Sequence, residues 1–162
     1  MTVGIAAISQ QGTGSYVILA SDRMVTAWED TEYEPNKPKL YRLRDDNKIV
    51  VLIAGDTAAQ SVIGQAASIE ISRRDVSEVR EAAEIFAKHV GEYRKDAVER
   101  EVLAPFGLTF DTYISRSREM SDALTFSIRD ELRNFDSGVE AVVAGVESGG
   151  WSHIYQIADS VF

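Results

Sequence analysis

Sulfur chemistry is the first thing this sequence rules out. There is no cysteine among its 162 residues, so a disulfide framework, a thiolate nucleophile and a thiolate-ligated metal are all closed to it. Histidine is nearly as scarce. His89 and His153 fall inside an expected helix and on an expected strand, with neither an H-E-x-x-H pair nor a G-x-S-x-G elbow beside them. A histidine triad and a metal site are therefore not expected. Positive charge is in deficit, with 17 Lys and Arg against 26 Asp and Glu and a net charge of -9. Binding to nucleic acid or to an anionic membrane needs clustered cations, so neither partner is expected. No apolar run approaches the roughly 18 residues of a membrane span. Residues 1–9 have neither the basic start nor the apolar length of a signal peptide, and a cytoplasmic location is the expectation. With only three prolines and 44% hydrophobic residues, the chain is neither disordered nor of low complexity. Its length suits one domain, 1–162, of mixed α and β structure.

What is present reads as strands, then helices, then strands. TVGIAAIS and SYVILASD are apolar runs separated by QQGTG, whose glycines suit a hairpin. GTGS precedes a strand rather than a helix, so it reads as that hairpin's turn and not as a phosphate-cradling loop. The unbroken apolarity of both runs predicts a hairpin covered on both faces. TAWEDTEYEPNKPK, with Pro35 and Pro38, reads as loop with some extended structure. KLYRL and KIVVLIAGD form a second strand pair around RDDN.

From Asp56 the period turns helical. Asp56 is placed as the N-cap of a helix over 57–72, and Ala59, Val62, Ile63, Ala66 and Ala67 mark its apolar face. A second helix is expected from Asp75, which forms a D-x-x-E capping box with Glu78, and runs to about Leu103 with Val79, Ala83, Phe86, Val90, Tyr93 and Ala97 on one face. Pro105 and Gly107 end it, and a third helix spans Phe110 to Phe135. VEAVVAGVE and SHIYQIAD close the chain as strands around SGGW. The acidic pairs Asp45–Asp46 and Asp130–Glu131 are adjacent in sequence and read as solvated charge.

One residue carries chemistry by its position. With Met1 removed, Thr2 would present a hydroxyl and, on the same residue, an α-amine able to take its proton. Such an amine has an ordinary pKa of about 7.7–8.0, so a useful fraction is already a base at neutral pH. A lysine nearby, itself held by a carboxylate, would lower that pKa and stabilise an alkoxide as it forms. The structural reading of Thr2 is simply the first residue of a strand.

Four features in order, Thr2, then SDRMVT, then KPKLY, then IAGD, resemble the N-terminal half of proteasome β-type subunits and their bacterial relatives, the HslV peptidase and the Anbu-type proteins, which are N-terminal-nucleophile hydrolases. The match spans roughly residues 2–72 and, more loosely, 139–158. The resemblance implies an α+β fold, an αββα sandwich of antiparallel sheets, incomplete here at its C-terminal end. It implies Thr2 as nucleophile, Asp22 as the acid supporting the site lysine, Lys39 as that lysine with Lys37 as the alternative, Gly55 as the oxyanion-hole glycine, and Thr26 as a substrate-binding residue. Two registers remain for the first of these, because in β subunits with two or three threonines ahead of Val-Gly, Thr2 would align just downstream of the nucleophile. Met24 stands where the family usually has arginine. The later serine and aspartate of the family site have no counterpart before Phe162.

The function implied is a threonine-type amide hydrolase acting on a peptide or amide substrate, without a cofactor, in a homo-oligomer. A non-catalytic shell or assembly subunit of the same fold is the rival, and a small-molecule amidase using the same chemistry is a third reading.

Overall fold

The computed structural model describes residues 3–12, 14–22, 25–27, 31–33, 39–44, 46, 48–55 and 57–158. Strands Gly4–Gln11 (β1) and Gly14–Ser21 (β2) pair antiparallel, with Gln11 opposite Gly14 and Gly12 in the turn at φ 63°. The glycine segment is therefore a hairpin turn, where positive φ costs glycine little. Val25–Ala27 (β3) and Thr31–Tyr33 (β4) pair with each other. This small second hairpin supplies the extended structure expected within that stretch.

The main sheet is antiparallel, in the order Leu40–Arg42 (β5), Ile49–Ala54 (β6), Glu140–Val146 (β7) and Ser152–Ile157 (β8). Its two central strands are covered on both sides, which explains their nearly unbroken apolar sequences. Ile49, Val51, Ile53, Ala141 and Val143 enter the helix-side core. Leu52 points the other way, so close to β1 that a Cβ on Gly4 would lie 2.6 Å from one of its methyls. The β1–β2 hairpin therefore lies across the main sheet. Ser15 pins its turn end, donating to the Gly150 carbonyl at 2.6 Å and meeting the Ser152 hydroxyl at 2.7 Å.

Helices Thr57–Arg73 (α1) and Val79–Val98 (α2) cover the opposite face of the sheet. In α1 the buried stripe is Ala59, Ile63, Ala67 and Ile71, at intervals of four. Asp56, its expected cap, lies outside the described residues. The start of α2 departs from expectation. The Asp75–Glu78 capping box does not form, because Asp75 sits at φ 50° with its carboxylate 3.2 Å from Arg44, and the helix begins at Val79. Its first amide is met instead by Glu147, from the end of β7, whose carboxylate accepts from Val79 N at 3.3 Å. A carboxylate at a helix N-terminus also meets the positive end of the macrodipole.

After Val98 the helix passes into a π-helical turn, Glu99–Leu103, and a 3-10 turn, Ala104–Phe106, and it ends at Gly107 with φ 67°. The expected third helix is two, Phe110–Arg116 (α3) and Asp122–Asn134 (α4). Separate caps divide them: Thr109 accepts from Thr112 N, and Ser121 from Leu124 N. Both pack on the end of α2, around Val98, Val102, Leu103 and Ile128. They leave the outer face of the first hairpin open. Contrary to the two-sided burial expected there, Ile5, Tyr16 and Ile18 are 58%, 56% and 56% exposed. Among the described residues no helix is long and apolar enough to cross a membrane.

Candidate functional site

One end of the first hairpin meets one end of the main sheet. Val3, before β1, and Asp22, after β2, extend the hairpin ladder by one pair, with Asp22 N donating to the Val3 carbonyl at 3.1 Å. The Asp22 carboxylate turns back on the same pair. Its Oδ1 accepts from Val3 N at 3.0 Å and from Lys39 Nζ at 3.0 Å. Lys39 stands immediately before β5 and crosses from the main sheet to reach it. Its side chain is 4% exposed against 28% for Asp22, so the cation is the buried partner and the acid the more exposed one. Burying an ammonium is costly unless it is paired, and Asp22 supplies the pair. The Lys39 hydrogen bond, followed by that of the Val3 amide, holds the Asp22 carboxyl below its ordinary value, against the opposing effect of desolvation.

Gly55 arrives at the same edge. Ile53 N donates to the Lys39 carbonyl at 3.0 Å, which brings the end of β6 beside the start of β5, and Gly55 follows two residues later. It holds φ 110°, and a Cβ there would lie 1.5 Å from the Gly138 carbonyl oxygen. No other residue type fits this backbone path. The Gly55 carbonyl accepts from the Gln60 side chain at 3.1 Å. Among the described residues its N–H has no acceptor.

The structure thus brings together Asp22, Lys39 and the amide of Val3, and Gly55 follows two residues after the position that bonds the Lys39 backbone. Met1, Thr2, Met24 and Lys37 lie outside the described residues, and Thr26 is placed on β3 by its backbone alone. Two participants were not found by motif. Gln60 is buried in the first turn of α1 and orients the Gly55 peptide; its signal was a polar residue on the apolar face of a helix. Gly138, from the segment before β7, forms the wall against Gly55 and has no local sequence signal. Among the described residues no group of three or more His, Asp or Glu side chains is arranged to hold a metal ion.

No family model and no curated protein matches the chain. Among solved structures it is similar to eukaryotic HslV from Trypanosoma brucei, at 16% identity and a TM-score of 0.44, over 98% of this chain and 72% of that one. A likeness of that size carries no argument for activity, and the site's own geometry has to supply one.

Proposed function

We propose that this chain is a threonine-type N-terminal-nucleophile amide hydrolase of αββα type, acting through Thr2 after removal of Met1. The observation that supports it is a single carboxylate oxygen shared between a buried lysine and the amide of Val3, the residue bonded to Thr2. In this reading the Thr2 α-amine accepts the hydroxyl proton as Oγ attacks the substrate carbonyl. Lys39, held by Asp22, stabilises the alkoxide, and the Gly55 N–H donates to the oxyanion. Collapse of the tetrahedral intermediate expels the amine, which takes the proton from the α-ammonium, and leaves an ester on Thr2 Oγ. Water, deprotonated by the Thr2 α-amine, then attacks the ester, and the α-ammonium returns the proton to Oγ as the acid leaves, restoring the hydroxyl. In the same reading Thr26, on β3, holds an extended substrate by its backbone. The expected assembly is a homo-oligomer, supported by the open apolar face of the β1–β2 hairpin.

The test is covalent. Intact-mass measurement should show a chain beginning at Thr2, and a peptide epoxyketone or β-lactone should add one equivalent to that residue. Thr2→Ala should abolish labelling. Lys39→Ala should slow it about 100-fold or more, the usual scale for losing one group that stabilises developing charge. Quantitative retention of Met1, or labelling that survives Thr2→Ala, refutes the reading. A well-folded, correctly processed chain that never labels points instead to a shell subunit without chemistry.

A further inference from the structure

Away from Asp22 and Lys39, the helices that pack on the end of α2 enclose a cleft of about 300 Å3. Its walls are apolar, with Val98 from α2, Phe110 from the start of α3 and Leu132 from α4. The other lining residues are all cations: Arg94 and Lys95 on α2, and Arg129 and Arg133 on α4. No acid lines it, although the chain carries nine more acidic than basic residues.

In so acidic a chain cations readily find carboxylates, and Arg44, Arg74, Lys88, Arg100 and Arg116 each hold one. Among the described residues no carboxylate lies within salt-bridge distance of Lys95, Arg129 or Arg133. Lacking such a partner is not peculiar to the cleft, since Arg42, Arg73, Arg80 and Arg118 also hold no carboxylate among the described residues; what sets the cleft apart is that its cations gather on one apolar hollow. Lys95 lies instead over the Phe110 ring, 5.4 Å from its centre, and Arg94, buried at 4% exposure, donates to the Phe135 carbonyl at 3.2 Å. The nearest acid on α2's continuation is committed elsewhere: Glu99 accepts from Phe110 N at 3.0 Å and so seats α3. That residue opens the π-helical turn, an irregularity frequently found at functional sites.

Cations gathered on one hollow favour an anion there; Lys95, Arg129 and Arg133 are exposed, so that attraction is moderated by solvent and salt. The apolar walls set a second requirement. Inorganic phosphate or acetate would satisfy the cations and leave the walls of Val98, Phe110 and Leu132 in water, whereas an apolar body buries them. We propose that the cleft between α2, α3 and α4 binds an anionic amphiphile, a carboxylate carried on an acyl or comparable apolar body, with Arg129, Arg133 and Lys95 facing the carboxylate. The volume lies at the lower end of small-molecule sites, which suits a medium-length chain. The site shares no residue with the proposed hydrolase centre and does not depend on it.

Calorimetric titration of the full chain tests this, with decanoate as probe below its micellar concentration. Decanoate should bind saturably, decan-1-ol and acetate at least tenfold more weakly, and added salt should loosen decanoate while leaving decanol unchanged. Arg129→Gln combined with Arg133→Gln should weaken decanoate at least tenfold with an unaltered circular dichroism spectrum. Lys95→Gln, on the other wall, gives an independent reading should the double variant unfold, and should weaken decanoate as well. Equal binding of decanoate and decanol, equal binding of decanoate and acetate, wild-type affinity in the folded variants, or no saturable binding overturns the proposal.

Discussion

Gly55 is the position where the structure makes its sharpest demand on one residue type, and alanine there is the most informative substitution. The new methyl carbon would lie 1.5 Å from the Gly138 carbonyl oxygen, where an ordinary C···O contact is about 3.3 Å or more. The end of β6 and the segment before β7 would have to part by roughly 2 Å to admit it, at a cost of about 1–3 kcal/mol for overpacking. The φ of 110° adds about 1–3 kcal/mol of backbone strain for a residue with a Cβ. The sum, about 4 kcal/mol, has an internal control. Gly138 also holds a positive φ, 66°, but a Cβ there meets nothing within 4 Å, so Gly138→Ala should incur only the left-handed penalty of about 1–2 kcal/mol. Urea unfolding followed by circular dichroism measures both. With an m-value of about 2 kcal/mol/M, the midpoint should fall by about 2 M for Gly55→Ala and by less than 1 M for Gly138→Ala. Equal shifts, or a Gly55→Ala protein as stable as wild type, would refute the steric argument and with it the claim that this edge admits only glycine.

Three further outcomes are expected. Glu147→Ala removes the acceptor for the first amide of α2 and should destabilise the protein by about 1 kcal/mol, while Glu147→Gln keeps most of that; an unchanged midpoint for the alanine variant shows that the long-range cap is idle. Glu70 on α1 is held below its ordinary carboxyl value of 4.5, chiefly by its hydrogen bond to Lys88 and further by Arg74 and His89. Because its folded value is the lower one, its contribution is present above about pH 4.5 and lost as pH falls through the folded value; the acid limb of stability in Glu70→Gln should be shallower, and identical limbs contradict this. The open hairpin face predicts self-association at micromolar concentration, and Ile18→Glu, at its centre, should shift the protein to the 17.9 kDa monomer in light scattering; a wild-type monomer that binds no hydrophobic dye shows the face needs no cover.

The sequence by itself determined the elements whose signals are local. The glycine turn between two apolar runs specified the first hairpin, the helical spacing of Ala59, Val62, Ile63, Ala66 and Ala67 specified a helix, although Val62 lies on its exposed side, and Gly107 marked a helix end, because turns and periodicities are written in neighbouring residues. The motifs around Asp22 and Lys39 singled out two side chains that the fold brings within 3.0 Å of one another. Distant partners left no such trace. Asp75 and Glu78 have the spacing of a capping box, yet Arg44 draws the Asp75 carboxylate away and Glu147, 68 positions further on than Val79, caps the helix. Gly138 shapes the Gly55 turn from another element with no local pattern to announce it, and Gln60 is marked only as a polar residue on an apolar helix face. Burial was the least legible property. Unbroken apolar runs predicted two covered faces for the first hairpin and the central strands alike, and only the main sheet, lying between hairpin and helices, has both. An apolar sequence records that a face prefers to leave water; which element comes to cover it is a property of the packed whole.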